Sequence, residues 1–320
     1  MHRHPPRRAV LGAALATALG SCRRAPAVRP PQPVNTATAA ATATVTAATG
    51  AVAVPGRPLR VVALDTAELD SAMTLGITPV GACRAAYDTG LPGYWPTTRL
   101  AEVADAGTIG TPDLDRIGAL RPELILGNAL RDGAHFEALR AIAPTVLSRT
   151  TGYPWKDNVQ LHSRALGRPV EADAVAAAYR GQIAATSRAL GGPGATGGRR
   201  VSLVRFVPGG RIRLYGRQSF LGTILADLQL GRPDAQNVDQ FDVEITPDQL
   251  AGADGDVLLY AVHGGPAAAA AAVLTGPAWH ALGAVRGHRA FPVDDQLWFE
   301  GIGYTGASLI LAELQTLLTY

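Results

Sequence analysis

The chain has almost no lysine: Lys156 is the only one among its 320 residues, and arginine supplies the rest of the fixed positive charge. The formal net charge of +3 disappears when the three arginines of the first 21 residues are left out, because that segment contains no acid. Leaving out Arg23, Arg24, Arg29 and Arg57 as well makes the remainder about −4. A nucleic-acid-binding protein would carry excess positive charge on its folded part. The composition therefore excludes DNA and RNA as partners.

Cysteine is nearly absent too, with only Cys22 and Cys83. Cys22 ends the sequence LeuGlySerCys, which matches a lipobox, and it follows an apolar stretch over residues 10–19 that is too short to span a bilayer. The pattern predicts a signal peptide over residues 1–22 and a lipidated Cys22 that anchors the protein to the outer face of the cytoplasmic membrane. Arg7 and Arg8 resemble a twin-arginine export signal. The alternative is an ordinary signal peptide with a chance cysteine.

The sequence also lacks the common signatures of enzymes, since no GxSxG, Walker A, HExxH or paired CxxC motif occurs. GlyIleGlyTyrThrGly at 301–306 matches a dinucleotide fingerprint, but only 14 residues follow it, which leaves no room for the second strand and the ribose-binding acid. The histidines at 135, 162, 263, 280 and 288 are not at metal-ligand spacing and are interpreted as surface or loop residues. We therefore expect no catalysis, no cofactor and no metal site made of protein side chains.

Large apolar side chains are scarce over residues 23–58, which predicts a disordered Ala/Thr/Pro tether. Strand and helix patterns alternate over 59–152 and again over 199–320, which predicts two Rossmann-like α/β lobes. Residues 153–198 show no strand pattern and include an Ala-rich stretch from Glu171 to Leu190, long enough for a helix of about 30 Å. The expected architecture is two α/β lobes joined by a long helix, with a ligand cleft between them.

One pattern occurs in both predicted lobes. Asp115 and Asp248 each stand eight residues before an acid, Glu123 or Asp256, and each acid opens an apolar run of the kind found in buried parallel strands. This repetition favours lobes of similar construction that face each other. The alternative is that two short α/β units look alike by chance.

Aromatic and arginine side chains are concentrated in the connections that follow the predicted strands. Such loops point into the cleft between facing lobes, where flat rings and guanidinium groups suit a bulky, partly aromatic, anionic ligand. For any single residue, a surface charge or a core aromatic is the alternative. The candidate ligand-binding residues are Tyr94, Trp95, Arg131, Trp155, Arg213, Tyr215, Arg217, Trp298 and Tyr304; Tyr87, Tyr153 and Arg205 belong to the same group of rings and charges.

With these features the chain resembles the lipid-anchored substrate-binding proteins of ATP-driven importers for ferric siderophores, haem and cobalamin. The resemblance covers residues 59–320 and is most specific over 111–127, 153–158, 219–225 and 294–306, the last of which is similar to the siderophore-binding branch. It implies a class III periplasmic-binding-protein fold with little hinge motion, acting as a monomer. The implied ligand is a ferric siderophore whose own oxygens hold the iron. Haem, cobalamin or another metal chelate is the alternative ligand; an extracytoplasmic enzyme or an envelope scaffold is the alternative kind of protein.

The resemblance also implies partners in the membrane, an ABC permease and its ATPase. Members of this family present one carboxylate per lobe, usually Glu, to arginines of the permease. Asp115 and Asp248 occupy those positions here, each one methylene shorter than Glu. Helix capping is the alternative role for either residue, and it is the weaker explanation for Asp115, which lies inside its predicted helix.

Overall fold

The computed structural model describes residues 42–264 and 268–319. The strands, in chain order, are β1 Thr42–Ala47, β2 Gly50–Pro55, β3 Val61–Ala63, β4 Gly81–Arg84, β5 Ala104–Thr108, β6 Thr111–Pro112, β7 Leu124–Asn128, β8 Thr145–Ser148, β9 Val201–Val207, β10 Arg211–Tyr215, β11 Asp242–Ile245, β12 Val257–Val262 and β13 Ala290–Pro292. The α-helices are α1 Thr66–Thr74, α2 Thr97–Leu100, α3 Leu114–Ala119, α4 Ala129–Asp132, α5 Phe136–Ile142, α6 Trp155–Ala165, α7 Pro169–Ala189, α8 Pro193–Thr196, α9 Phe220–Asp227, α10 Ala268–Leu274, α11 Pro277–His280, α12 Gly283–Arg286 and α13 Tyr304–Leu317. Short 3-10 helices cover Gly133–His135, Asp234–Gln236 and Pro247–Ala253, and a π-helix covers Gln296–Glu300.

Two sheets form the centres of the two lobes. The first has the strand order β6-β5-β4-β3-β7-β8 and is parallel except for β6. The second has the order β11-β10-β9-β12-β13, in which β9, β12 and β13 are parallel and β10 is antiparallel to both of its neighbours. The predicted architecture of two α/β lobes joined by a long helix is confirmed. That helix is α7, which starts with Pro169 in its first turn and ends before Gly191, whose φ of +93° favours glycine.

The repeated sequence pattern corresponds to a repeated hydrogen-bond pattern. In the first lobe the Glu123 carboxylate accepts the backbone N–H of Arg60 at 3.1 Å, and the Glu123 N–H donates to the Arg60 carbonyl at 2.7 Å. In the second lobe the Asp256 carboxylate accepts the N–H of Arg200 at 2.7 Å, and the Asp256 N–H donates to the Arg200 carbonyl at 2.8 Å. Each acid therefore fastens the start of one strand to the start of the adjacent one. The hydrogen bonds received from the backbone lower the pKa of both acids.

The amino-terminal part of the described chain differs from the expected tether. Residues 42–55 form an antiparallel hairpin of β1 and β2, in which the side chains of Val45 and Val54 are buried against the core of the first lobe. The Ala48 N–H also donates to the Leu147 carbonyl at the end of β8, at 2.9 Å. The prediction of disorder is therefore wrong for residues 42–55. The hairpin is ordered because Val45 and Val54 are buried, while the Ala and Thr side chains between them are small enough to pack closely.

Several predictions concern residues outside the described ranges. The signal peptide over 1–22, the lipidation of Cys22 and the part of the tether before residue 42 all lie there. Among residues 42–264 and 268–319, no helix has the length and apolar character needed to cross a membrane. Cys83 is fully buried, as expected for an inert thiol, and burial raises its pKa.

Candidate functional site

A cavity lies between the two lobes and is open to solvent. The first lobe contributes Asp65, Tyr87, Ile109 and Arg131 to its wall, and the second contributes Arg205, Arg213, Tyr215, Phe241, His263, Phe299 and Glu300. The wall therefore combines three guanidinium groups with four aromatic rings.

On the first-lobe side, the ends of the adjacent strands β3 and β7 position Arg131. Asn128 ends β7 and caps α4 by accepting the Arg131 N–H at 3.2 Å. Asp65 follows β3 and caps α1 by accepting the Thr66 N–H at 2.7 Å. The Asn128 amide donates to Asp65 at 3.1 Å, and a nitrogen of the Arg131 guanidinium lies 3.3 Å from the same carboxylate oxygen. The Arg131 side chain is still 35% exposed, so that it keeps donors for a ligand.

On the second-lobe side, Arg205 of β9 is buried, and its guanidinium is hydrogen-bonded to two acids. Its guanidinium donates two hydrogen bonds to Asp295, at 2.7 and 2.6 Å, and one to Glu300 at 2.8 Å. Burial favours the neutral acid, but hydrogen bonds from His263 and Arg205 overcome it and hold the pKa of Asp295 below its ordinary value. Burial raises the pKa of Glu300 to about 8; Arg205 opposes that shift and Asp88 adds to it.

Arg213 is the second-lobe arginine with donors to spare. It lies on β10, directly opposite Arg205 on β9 and Glu244 on β11. Its nearest acidic oxygens, on Asp242 and Glu244, are 3.6 and 3.5 Å away. Its buried Nε has no hydrogen-bond partner among the residues described. The Arg213 side chain is nevertheless 31% exposed and lines the cavity, so its outer nitrogens can reach an anion there.

Three of the residues predicted to bind ligand, Arg131, Arg213 and Tyr215, line the cavity. The structure places the other six elsewhere. Trp155 and Trp298 are at most 1% exposed, and their indole N–H groups donate to Thr223 at 2.8 Å and to Glu313 at 2.5 Å. Both are core residues, because each ring is covered and each polar atom has a partner inside the protein.

Four more residues predicted to bind the ligand lie outside the cavity wall: Tyr304, Tyr94, Trp95 and Arg217. Tyr304 is buried with its ring 4.8 Å from that of Trp155. Tyr94 and Trp95 pack into the core of the first lobe, and the Tyr94 hydroxyl donates to Asp70 at 3.0 Å.

The Arg217 guanidinium donates to Asp239 at 3.0 Å and to Asn237 at 2.9 Å, and it is not part of the cavity wall. The prediction that these four residues face the ligand is not supported by their positions.

Sequence reasoning missed other residues of the wall. His263 lies in the turn directly after β12, in agreement with the expected loop position, but its place in the cavity wall was missed although its position at a strand end was an available signal. Asp65 has the same signal, since it comes just after β3. Glu300 and Phe299 lie in a π-helix, where no regular sequence period marks them. His162 was also interpreted as a surface or loop residue, yet it is completely buried in α6.

Asp115 and Asp248 occupy equivalent places in the two lobes. Both are exposed in the first turn of a short helical segment that precedes a central strand, β7 or β12. Neither caps its segment, because Asp113 accepts the first-turn N–H in one lobe and Thr246 forms a capping box in the other. In the described part of the chain neither Asp forms an ion pair. Capping therefore does not explain them.

Comparisons with known proteins agree with this geometry. Residues 61–297 match the family model described as periplasmic binding protein. The chain is 30% identical over 276 residues to the probable siderophore-binding lipoprotein YfiY of Bacillus subtilis, covering 82% of this chain and 83% of the relative. It is 27% identical over 258 residues to the Fe(3+)-citrate-binding protein YfmC of the same organism, covering 79% of both.

Among solved structures, SirA of Staphylococcus aureus complexed with staphyloferrin B superimposes with a TM-score of 0.77 at 25% identity, covering 87% of this chain and 98% of SirA. The family match covers well over half of the sequence and includes both lobes. The chain belongs to the periplasmic binding protein family.

Proposed function

We propose that this protein captures a ferric siderophore in the cavity between its lobes and delivers it to an ABC importer. The observation that carries the proposal is the placement of Arg131 and Arg213. They line one cavity from opposite lobes, and each is partly exposed with hydrogen-bond donors left over. Two guanidinium groups on opposite walls suit a ligand with negative charge on two sides. Iron is the cargo and is held by the oxygens of the siderophore.

The geometry favours a siderophore that binds iron through carboxylate and hydroxycarboxylate groups. Guanidinium groups form paired hydrogen bonds with carboxylates, so that such a ligand matches the free donors of Arg131 and Arg213. The names of two similar proteins support this class, since YfmC binds Fe(3+)-citrate and SirA was solved with staphyloferrin B. The rings of Tyr87, Tyr215 and Phe241 supply apolar contact around the charged groups.

Delivery requires a surface that the permease recognises, and Asp115 and Asp248 are suited to that role. Each lobe presents one of them, exposed and without a capping role. Arginines of the permease would pair with both carboxylates and so recognise the two lobes together. Lipidation of Cys22 would hold the monomeric protein at the outer face of the cytoplasmic membrane, near that permease and its ATPase.

Isothermal titration calorimetry of the purified protein tests the choice of ligand. We expect saturable one-to-one binding of ferric citrate or ferric staphyloferrin B. Affinity should be much weaker for an uncharged ferric tris-hydroxamate, because it offers no anion to the two arginines. Tighter binding of haem or cobalamin would replace the siderophore assignment. An absence of binding to all of these ligands would favour an envelope scaffold, and turnover of a bound complex would favour an enzyme.

A further inference from the structure

A second group of polar side chains lies at the cleft beside the two arginines assigned to the anion, and two of its three members line the same cavity. Asp88, His263 and Glu300 each offer one donor atom, and the three atoms lie within 4.8 Å of one another. Asp88 follows β4 in the first lobe, whereas the other two belong to the second lobe. The fold therefore brings together residues whose separation in the sequence gave no metal-ligand spacing.

Two of the three side chains are held in place by polar contacts with neighbouring side chains. The Gln296 amide donates to Asp88 Oδ2 at 2.8 Å. Nδ1 of His263 lies 2.9 Å from Asp295 Oδ2 and 2.7 Å from a guanidinium nitrogen of Arg205. When Nδ1 donates its N–H to Asp295, as metal-binding histidines usually do toward a carboxylate, Nε2 is unprotonated and available to a metal.

Glu300 provides the independent sign of a missing partner. The residue is only 7% exposed, and its Oε1 accepts a hydrogen bond from Arg205 at 2.8 Å. Its Oε2 is buried without a hydrogen-bond partner among the residues described. A buried carboxylate oxygen left without a donor costs free energy, and a cation between Asp88 and Glu300 would remove that cost.

The charge balance points the same way. Three acids, Asp88, Glu300 and Asp295, face one guanidinium, that of Arg205, so that negative charge is in excess even when Glu300 is protonated. Two carboxylates and one imidazole are a donor set that suits divalent transition ions such as Mn²⁺, Co²⁺ and Zn²⁺. We propose that Asp88, His263 and Glu300 form a binding site for a divalent transition-metal cation that bridges the two lobes. This cation would be bound by protein side chains, unlike the iron inside a siderophore, although His263 and Glu300 also line the siderophore cavity.

Co²⁺ is the probe for this site, because its visible absorption reports coordination by protein ligands. Titration of the full chain with Co²⁺ should give one equivalent of bound metal with visible bands, and Zn²⁺ should displace it. Zn²⁺ should also raise the melting temperature, since a cation bound across the lobes stabilises the folded state. Asp88→Asn and His263→Gln should each weaken Co²⁺ binding at least about tenfold and remove the Zn²⁺-dependent shift.

The matched controls are Asp115→Asn and His280→Gln, which change an exposed acid and an exposed histidine away from the cleft. Both should bind Co²⁺ as the unmodified chain does. Circular dichroism would establish that the Asp88 and His263 variants are folded, and Asp88 is partly exposed and so tolerant of change. The proposal is overturned if no stoichiometric Co²⁺ binding occurs, or if folded Asp88→Asn and His263→Gln variants bind it unchanged.

Discussion

The carboxylate of Asp70, in the first lobe, accepts a hydrogen bond from the backbone N–H of Gly306, in α13, with a nitrogen–oxygen distance of 3.1 Å. The same carboxylate accepts the Thr305 N–H at 3.3 Å and the Tyr94 hydroxyl at 3.0 Å. Close approach requires a glycine at 303, because a Cβ there would lie 2.0 Å from Asp70 Oδ1. Gly303 thus serves the contact between the lobes, whereas Gly301 and Gly306 allow close packing within their own segment.

Replacing Asp70 should release this connection between the lobes. For Asp70→Ala we expect a loss of roughly 2–4 kcal/mol in the free energy of unfolding, because the side chain is fully buried and its donors would be left without an acceptor. Urea denaturation followed by circular dichroism measures the change. Asp115→Ala, at an exposed acid, should stay within about 0.5 kcal/mol of the unmodified protein. Equal effects of the two substitutions would contradict the role given to Asp70.

A substitution of Trp298 tests whether this side chain belongs to the core or to the ligand-binding site. Trp298→Phe removes the hydrogen bond to Glu313 and leaves a space in the core, so that unfolding should become easier by roughly 1–3 kcal/mol. Ligand affinity of the folded variant should change less than about twofold, since the ring does not reach the cavity. Thermal denaturation and calorimetric titration of the same sample give both quantities. A large loss of ligand affinity with an unchanged free energy of unfolding would show that Trp298 contacts the ligand.

The docking role of the two exposed aspartates predicts a loss of transport without a loss of binding. Asp115→Arg and Asp248→Arg should each lower siderophore uptake about tenfold or more, because a like charge would face the arginines of the permease. Affinity for the ferric complex should stay the same. Asp173→Arg, at an exposed acid on α7, is the control and should transport normally. Normal uptake by both docking variants would remove this assignment.

The burial of His162 leads to a prediction of how the free energy of unfolding depends on pH. Burial lowers the pKa of His162 to about 3, with Ser71 Oγ 2.9 Å from Nδ1 and Glu68 3.7 Å from Nε2. The folded protein keeps this imidazole neutral, whereas the unfolded chain takes up a proton below about pH 6.5. The contribution of the neutral His162 side chain to the free energy of unfolding is therefore fully present above pH 6.5 and is lost as the pH falls toward 3.

His162→Asn should remove this component of the pH dependence. Between pH 7 and pH 5 the difference in unfolding free energy between the unmodified protein and the variant should fall by about 2 kcal/mol, or about 1.4 kcal/mol per pH unit below the unfolded pKa. Urea titrations at a series of pH values provide the measurement. His280→Asn, at an exposed histidine, should leave the pH profile as it was. A parallel pair of curves for His162→Asn and the unmodified chain would show that His162 titrates normally in the fold.

The sequence predicted the fold better than the site, for a physical reason. Apolar runs and the repeated acids that precede them are local patterns, and they predicted the strands β7 and β12. Whether an aromatic ring faces a cavity or the core depends on contacts with distant residues, as for Trp155 and Thr223. The wall formed by Arg205, His263 and Glu300 is likewise assembled from three separate elements. The hairpin at residues 42–55 was missed because most of the side chains that alternate between its two faces are small, so that its hydrophobic pattern is weak.

The most direct measurement is the affinity for a ferric hydroxycarboxylate complex, compared between Arg213→Gln and Arg217→Gln. Both changes remove one guanidinium from the same lobe, but only Arg213 lines the cavity, whereas Arg217 is held by Asp239 and Asn237 outside it. We expect Arg213→Gln to bind ferric citrate at least about tenfold more weakly and Arg217→Gln to bind it normally. Unchanged affinity of folded Arg213→Gln, or an equal loss in both variants, would contradict an anion-binding cavity between the lobes.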